Sequence, residues 1–181
     1  MKVYTKTGDN GTSGLYDGSR VQKCEQIFDV LGTLDEMASH IGKLIFLLRN
    51  FYIANSSDKH KIIPYIISLQ KTLLNIGSII ATPSRDDSFI LPEFTEEQVS
   101  EIENYIDVMD SELKPLTVFI IQDGKNEIEA EAHICRTVTR RAEREINKYG
   151  NVSHEIFKFI NRLSDFFFTL ARYVSEPGKQ A

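Results

Sequence analysis

Apolar residues that recur at intervals of three and four positions fill most of this sequence, and this spacing restricts the chain to helical folds. The first run begins at Ile27 and ends near Asn50, with its apolar side chains on one helical face. No segment of comparable length alternates polar and apolar residues as strands do. We therefore predict an all-α fold: a five-helix bundle with a four-helix up-down core plus one further helix. The other predicted helices cover Ile62 to Ala81, Thr95 to before Pro115, about Glu127 to Tyr149, and Ser153 to about residue 175.

Residues at the ends of these segments have the chemistry of helix caps. Thr95, with Gln98 three residues later, matches a capping box, and Ser153 can cap the last helix. Gly150 is placed to end the fourth helix, because glycine readily adopts the left-handed conformation found there. Pro64 is expected near the start of the second helix, where its missing N–H group is tolerated.

The chain is long enough to bury one hydrophobic core. It has 181 residues, of which 41% are hydrophobic, so a single domain over residues 1–181 is expected. Within this domain we predict an irregular Gly-rich loop over residues 1–26 and the helical bundle over residues 27–175. The net charge of −5 argues against nonspecific binding to nucleic acid, and no nucleic-acid partner is expected.

The cysteines and the N-terminal residues bear on the cellular compartment. Cys24 and Cys135 lack CxxC spacing, which favours reduced thiols over a disulfide framework or a zinc site. No apolar run is expected to reach the roughly 20 residues that span a bilayer, so no membrane partner is predicted. The first residues have neither a signal-peptide core nor an Arg/Ser-rich leader. These features predict a cytoplasmic protein, or a mitochondrial-matrix protein if a leader has been removed.

The fourth predicted helix carries a row of arginines. Arg136, Arg140 and Arg144 are spaced four residues apart, so a helix places them along one side, with Arg141 and Glu143 beside them. Arginine suits forked contacts with phosphate or carboxylate oxygens. The alternative is a solvated helix face with ordinary Glu–Arg pairs, which spacing alone does not exclude.

The N-terminal loop has a composition suited to holding phosphates. Its glycines allow backbone N–H groups to approach an anion, its hydroxyls add donors, and Lys6 adds charge. Lys23 can reach the same anion from just beyond the loop, or can be solvated. The Walker A pattern is absent, and a plain surface turn is the alternative interpretation. The loop reads Thr5, Lys6, Thr7, Gly8, Asp9, Asn10, Gly11, Thr12, Ser13, Gly14.

Asp35 lies between apolar residues of the first helix. If it faces inward it needs a cationic partner, for which Arg136 is the candidate; otherwise it is a surface acid. A di-iron site requires paired Glu-x-x-His motifs, and neither His40 nor His133 has an acid three residues before it. No metal ligands from protein side chains are therefore predicted, and no catalytic nucleophile has a supporting local motif.

Taken in order, five blocks of this sequence resemble the PduO-type family of ATP:cob(I)alamin adenosyltransferases. The resemblance spans nearly the whole chain, and the order of the blocks makes it specific. The blocks are Tyr4-Thr5-Lys6-Thr7-Gly8-Asp9 with Gly11, Arg20-Val21 with Lys23, Gly32-Thr33-Leu34-Asp35-Glu36 with Ile41-Gly42, Arg136 through Arg144, and Asn161-Arg162-Leu163-Ser164-Asp165 with Leu170-Ala171-Arg172-Tyr173.

This resemblance implies a homotrimer with ATP bound between subunits, and it assigns roles by matching position. Asp35 and Arg136 would form an ion pair on the corrin side, Arg140 would act in catalysis as well as binding, and Phe119 would lie under the corrin ring. The cofactors would be ATP with Mg²⁺ on its phosphates, and cobalamin as the substrate. The residues implied at the triphosphate are Thr5, Lys6, Thr7, Gly8, Ser13, Gly14 and Lys23; those implied from the neighbouring subunit are Arg140, Arg141, Glu143, Arg144 and Asn161.

The implied reaction transfers the 5′-deoxyadenosyl group of ATP to the cobalt of cob(I)alamin, giving adenosylcobalamin and triphosphate. A cobalamin reductase and an adenosylcobalamin-dependent enzyme are the implied protein partners. One segment departs from the family pattern, since residues 122–131 hold Glu127, Glu129 and Glu131 where small or apolar residues are usual. Two alternatives therefore remain: a bundle that binds nucleotide or cobalamin without turnover, and a purely structural helical bundle.

Overall fold

The computed structural model describes residues 2–51, 59–84 and 89–176, and its architecture confirms the predicted all-α bundle. Five helices dominate the described residues, and a hairpin of two short strands precedes them. The predicted connection between the first two helices lies mostly outside the described residues, as do residue 1 and residues 177–181. The elements are β1 (Thr12–Gly14), β2 (Arg20–Gln22), α1 (Gln26–Phe51), α2 (Lys59–Ile80), α3 (Glu96–Asp110), α4 (Glu127–Tyr149) and α5 (His154–Ser175).

The predicted caps are confirmed. Thr95 and Gln98 form the capping box of α3, in which the Thr95 hydroxyl and the Gln98 side chain accept from backbone N–H groups. The Ser153 hydroxyl accepts from the backbone N–H of Ile156 at the start of α5. Gly150 ends α4 with a φ of 72°, the left-handed conformation that glycine adopts without a Cβ clash.

Two local features differ from the prediction. Pro64 lies inside α2 rather than at its start, because the helix begins at Lys59. Residues of the predicted irregular loop pair as antiparallel β1 and β2, with Ser13 opposite Val21. Strands of three residues are too short to show the alternation by which strands are recognised in a sequence, so this hairpin was not predicted.

Neighbouring helices run in opposite directions around a four-helix core of α1, α2, α4 and α5. α4 packs between α1 and α5 and is antiparallel to both. α1 and α2 are also antiparallel, and the Gln70 amide donates to the Ala38 carbonyl between them at 3.2 Å. α3 runs parallel to α5 on its outer side, joined to it by ion pairs from Lys158 and Arg172.

Aromatic side chains of α5 fill the centre of the bundle. Phe159, Phe166, Phe167 and Tyr173 are each at most 1% exposed. The Phe166 ring packs edge-on against the ring of Tyr65 from α2, with centroids 5.5 Å apart. Full burial of a side chain of this size contributes roughly 1.5–3 kcal/mol. These contacts connect α2 with α5 across the core.

The expectation that no apolar run is long enough to span a bilayer was wrong. By length and composition, Ile62–Ile80 of α2 qualifies as a membrane span, with a mean hydropathy of 1.2. Core helices satisfy the same criterion, so this is weak evidence for a membrane segment. In the structure, Ile66, Leu69 and Ile76 of α2 are buried in the core.

Candidate functional site

The N-terminal loop is organised by two basic side chains that close around Gly8. Arg20 on β2 donates from Nη2 to the Thr7 carbonyl oxygen at 2.6 Å and to Thr12 Oγ1 at 2.9 Å. The Lys23 ammonium lies above Gly8, where an added Cβ would be 3.1 Å from Lys23 Nζ. A side chain at residue 8 would therefore displace the lysine from the position at which it could meet an anion.

Lys6 has a backbone conformation that lysine rarely adopts. Its φ is 61°, and among the described non-glycine residues it alone has a positive φ. This left-handed conformation costs about 1–2 kcal/mol for an L-residue. The strain is held by the loop, in which the Asp9 N–H donates to the Lys6 carbonyl at 3.3 Å and the Thr5 and Thr7 hydroxyls are 2.8 Å apart. Strained backbone that the surrounding structure maintains is concentrated at ligand sites.

The seven residues expected at the triphosphate lie on one connected hairpin. Thr5, Lys6, Thr7 and Gly8 precede it, Ser13 and Gly14 are in β1, and Lys23 follows β2. The hairpin is fastened to the bundle where the Tyr16 N–H donates to the Ala81 carbonyl at 3.0 Å, at the end of α2.

The arginine row on α4 has two guanidinium groups without an acidic partner. Arg140 and Arg144 are exposed, and neither forms an ion pair with another described residue. Arg144 donates from Nη1 to the Arg140 carbonyl at 2.9 Å. Two unpaired arginines together on a chain of net charge −5 are suited to bind a polyanion.

Glu143 lies between these arginines but is held by α5. The Asn161 Nδ2 donates to Glu143 Oε1 at 2.9 Å, and the Asn161 Oδ1 accepts from Arg162 Nη1 at 2.9 Å. Arg162 is in turn fixed by Glu103 of α3, at 2.8 Å. This chain of bonds orients Glu143 of α4 and Asn161 of α5 towards each other where the two helices pack together.

Arg141 is separated from the rest of the row. Its Nη2 forms an ion pair with Glu36 Oε2 on α1, so its guanidinium lies on the α1 side of the helix. Arg140 instead lies near Asp165 of α5. Burial raises the pKa of Asp165, and the positive charges of Arg162 and Arg140 partly offset this shift. In the single chain this ion pair joins α1 to α4, and the expected contact of Arg141 with the nucleotide stays a prediction.

The expected pair of Asp35 and Arg136 does not form within one chain. Asp35 is exposed on α1 and has no ion pair with any other described residue. Arg136 is half-buried on α4, where its Nε donates to His133 Nδ1 at 3.3 Å. Burial, together with the nearby charge of Arg140, lowers the pKa of Arg136. A guanidinium in this position would gain from a carboxylate, and no residue in the described part of the chain supplies one within ion-pair distance.

Asp35 lines a large apolar cavity between α1 and α2. The cavity has a volume of about 920 Å³. Its lining is mainly aliphatic, and two of its side chains, Leu74 and Ile90, are 73% and 97% exposed in the single chain. Large exposed apolar surface of this kind marks a binding site for a ligand or another protein.

Phe119 lies on the extended segment between α3 and α4 and is fully exposed. Its neighbours Val118 and Ile121 are 74% and 84% exposed, so the segment presents several apolar side chains to solvent. The inner side of the segment covers a smaller cavity of about 260 Å³ that is lined by residues including Arg172 and His133.

The two parts of the predicted nucleotide site do not meet in one chain. The hairpin lies beside α1 and α2, whereas Arg140, Glu143 and Asn161 lie between α4 and α5. No hydrogen bond or ion pair among residues 2–51, 59–84 and 89–176 joins the hairpin to these three. Within those same ranges, no cluster of three or more His, Cys, Asp or Glu side chains is placed to hold a metal ion.

Comparisons with known proteins identify the family. The family model for cobalamin adenosyltransferase matches residues 3–174. Human corrinoid adenosyltransferase MMAB is 38% identical over 186 residues, covering 99% of this chain and 71% of the human protein. A corrinoid adenosyltransferase of Citrobacter freundii is 33% identical over 174 residues, covering 94% of this chain and 93% of that protein.

Solved structures agree with these sequence matches. A Phe-to-Ala variant of a PduO-type ATP:corrinoid adenosyltransferase from Lactobacillus reuteri, complexed with cobalamin and ATP, superposes with a TM-score of 0.86. It is 28% identical, and the match covers 99% of this chain and 97% of that chain. The relatives and the shared helical fold thus define the class of protein: an enzyme that transfers an adenosyl group to a corrinoid. The chain belongs to the PduO-type cobalamin adenosyltransferase family.

Several residues around the site were not assigned roles from the sequence. Arg20 was noted only as part of a matching block, yet it ties the two ends of the loop together. His133 was considered only as an iron ligand, yet it contacts Arg136. The spacing of three between His133 and Arg136 was the available signal, since it places both on one helical face.

Proposed function

We propose that this protein transfers the 5′-deoxyadenosyl group of ATP to the cobalt of cob(I)alamin, forming adenosylcobalamin and releasing triphosphate. The family model matches residues 3–174, and membership of this family supports the reaction. The observation that carries the proposal in the structure is the pair of unpaired arginines, Arg140 and Arg144. A departing triphosphate develops strong negative charge, and fixed guanidinium groups stabilise such charge without reorganising during the reaction.

The active site is made by two subunits of a homotrimer. The hairpin of one subunit holds the triphosphate through Lys6, Gly8 and Lys23, while Arg140 and Arg144 approach from the next subunit. This arrangement is supported by the separation of the two halves in one chain and by the exposed apolar side chains around the α1–α2 cavity. Thr5, Thr7, Ser13 and Gly14 complete the first half, and Glu143 and Asn161 complete the second.

Asp35 and Arg136 pair across the same interface. Neither forms an ion pair with another residue that the structure describes, and neither belongs to the buried core of the bundle. An ion pair that is partly shielded by a subunit interface is stronger than one in open solvent. It would fix the angle between the α1–α2 cavity of one subunit and the Phe119 segment of the next.

Cobalamin lies against the apolar cavity of α1 and α2. The volume of about 920 Å³ and the aliphatic lining suit the edge of a large macrocycle. Phe119 covers the lower face of the corrin ring, which its complete exposure in the single chain allows. A bulky apolar side chain there would exclude water and the nucleotide tail from cobalt, and the loss of this lower ligand would ease reduction of Co(II).

The substrate itself supplies the nucleophile, since Co(I) attacks the 5′ carbon of ATP. The tasks of the protein are to align the two substrates and to neutralise the leaving group. Mg²⁺, carried on the phosphate oxygens, would add positive charge there; the donor set of the hairpin, which is hydroxyls and lysines, fits phosphate rather than the metal. Arg141, ion-paired with Glu36, braces α4 so that Arg140 keeps its position.

The electrons for Co(I) come from a cobalamin reductase, and the product passes to an adenosylcobalamin-dependent enzyme. The compartment is the cytoplasm, or the mitochondrial matrix if a leader has been removed. The bacterial and mammalian corrinoid adenosyltransferases among the relatives support either location.

A binding protein without turnover is the second candidate, because of the unusual acids at 127–131. Glu129 accepts from the Lys125 N–H at 2.8 Å, and Glu131 accepts from His40 and Lys43 at 2.6 and 2.7 Å. Both carboxylates are satisfied inside their own chain, so they need not disturb the corrin side. This observation favours the enzyme.

An anaerobic assay tests the proposed reaction. The protein is mixed with MgATP and chemically reduced cob(I)alamin, and absorbance follows the light-sensitive cobalt–carbon product. We expect product that disappears on illumination, and less of it with Arg140→Ala. ATP binding without any product from the wild-type protein would favour the second candidate.

A further inference from the structure

His133 is a buried polar residue to which the proposed function gives no role. Its side chain is 9% exposed and lies on α4 between Glu129 and Arg136. Its Nδ1 accepts from Arg136 Nε at 3.3 Å, and its Nε2 is 3.9 Å from Glu129 Oε1. The ring also lies 6.5 Å from that of Phe168 on α5.

The contacts of His133 select one protonation state. Burial and the adjacent charge of Arg136 lower the pKa of His133, while Glu129 opposes this shift. The imidazole is therefore neutral near pH 7 and has one N–H group. Because Nδ1 accepts from Arg136, the proton is on Nε2, the nitrogen that faces Glu129. Glu129 is itself held, since its other oxygen accepts from the Lys125 N–H.

This arrangement leaves the two Nη groups of Arg136 available to bind a carboxylate. A guanidinium has donors on Nε and on both Nη atoms, and only Nε has a hydrogen-bond acceptor among the described residues. Fixing Nε restricts rotation of the guanidinium plane, so the two Nη groups keep one orientation. The nearby charge of Arg140 would otherwise push Arg136 away from this position.

We propose that His133 is a positioning residue, whose neutral imidazole holds Arg136 ready to pair with Asp35 of a neighbouring subunit. This inference rests on the proposed function, in which that pair shapes the corrin side. It predicts that loss of the His133 acceptor affects use of cob(I)alamin and leaves use of ATP unchanged, because Arg140 and the hairpin are not in contact with His133.

Two substitutions separate the acceptor from the bulk of the ring. In His133→Asn the amide oxygen can take the place of Nδ1, whereas in His133→Leu no acceptor remains. We expect Leu to lower kcat/KM for cob(I)alamin by about ten- to hundred-fold, as for loss of a hydrogen bond to a charged group, with the KM for ATP unchanged. We expect Asn to retain kcat/KM to within about three-fold. Thr139→Val, another change at a buried polar residue of α4, is the control for altered packing.

A double substitution tests whether His133 acts through Arg136. In an Arg136→Ala background, adding His133→Leu should cause no further loss of kcat/KM for cob(I)alamin. Equal losses in the Asn and Leu variants, or a full additional loss in the Arg136→Ala background, would overturn the proposal and indicate a packing role.

A measurement independent of activity separates this inference from the proposed function. In protein with ¹⁵N-labelled arginine, the Arg136 Nε–H signal should exchange slowly in the wild type and in His133→Asn, and rapidly in His133→Leu. Rapid exchange in the wild type would overturn the positioning contact even if product forms. Absence of product from the wild type would overturn the proposed function, and with it the inferred effect of His133 on the use of cob(I)alamin, whatever the exchange rate.

Discussion

Asn161 on α5 holds the carboxylate of Glu143 on α4, with its Nδ2 2.9 Å from Glu143 Oε1. Glu143 is three residues from Arg140 and one from Arg144, so without Asn161 it could turn towards Arg140. By donating a hydrogen bond to the Glu143 carboxylate, Asn161 keeps the guanidinium groups of Arg140 and Arg144 free to bind a polyanion. The relationship explains how an acid can lie within a row of arginines without neutralising it.

Asn161→Ala should therefore weaken ATP binding without unfolding the protein. The freed Glu143 would compete with ATP for Arg140, and we expect the KM for ATP to rise by about ten-fold. Steady-state kinetics with cob(I)alamin held at saturation give the value. Asn147→Ala, at an exposed residue of α4, serves as the matched control. An unchanged KM for ATP would remove Asn161 from the site.

Adjacent arginines on α4 should behave differently. Arg140→Ala is expected to lower kcat/KM for ATP by about ten- to hundred-fold, since it removes a charge-assisted phosphate contact. Arg141→Ala loses the ion pair with Glu36, so it should lower the thermal midpoint more than it lowers kcat/KM. Thermal unfolding and kinetics of both variants make the comparison. A larger kinetic loss in Arg141→Ala would place Arg141 in the nucleotide site instead.

Phe119→Ala should impair one stage of the reaction selectively. Removing the ring admits a lower ligand to cobalt, which makes Co(II) harder to reduce but leaves chemically supplied Co(I) able to react. We expect a far larger loss of turnover in an assay that starts from Co(II) with a reductant than in one that starts from Co(I). Val118→Ala, at an exposed neighbour in the same segment, is the control. Equal losses in the two assays would refute the assignment of Phe119.

Acidification should destabilise the protein partly through His133. Its folded pKa is lowered below the ordinary 6.5 by burial and by Arg136, and Glu129 only partly offsets this. The unfolded chain therefore takes up a proton first as pH falls, so this contribution to stability is full above about pH 6.5 and declines below it. Lys125 and Arg172, which line the same small cavity, add positive charge and should favour the neutral ring.

Thermal midpoints at several pH values between about 7.5 and 5.5 measure this effect. The midpoint of the wild type should fall more steeply than that of His133→Asn, which cannot titrate. Parallel curves for the two proteins would show that His133 keeps its ordinary pKa in the folded state.

Much of the fold was predictable because its signals are local. Thr95, Gly150 and Ser153 mark helix ends through contacts within three or four residues, and the structure confirms them. Pro64 was misplaced because a helix can extend before a proline at the loss of one backbone hydrogen bond, and no local signal in the sequence marks that extension.

The candidate site was less predictable because its contacts join distant residues. The loop and the arginine row were evident from composition and spacing, and the order of the motifs gave the family. The pairing of Arg141 with Glu36 depends on how α1 packs against α4, which the sequence does not specify. The contact between His133 and Arg136 was accessible from spacing, but the burial that makes His133 neutral is a tertiary property.

The central claim is that two subunits build each active site, and mixing two inactive variants tests it most directly. Lys6→Ala disables the hairpin half and Arg140→Ala the α4 half, so each variant alone should show little activity. Co-expressed subunits that assemble at random into trimers would place an intact hairpin beside an intact arginine row at about one quarter of the sites. We predict that the mixture recovers about one quarter of the wild-type rate in the anaerobic cob(I)alamin assay. A mixture no more active than its two components would show that each chain builds its site alone, and would contradict the account.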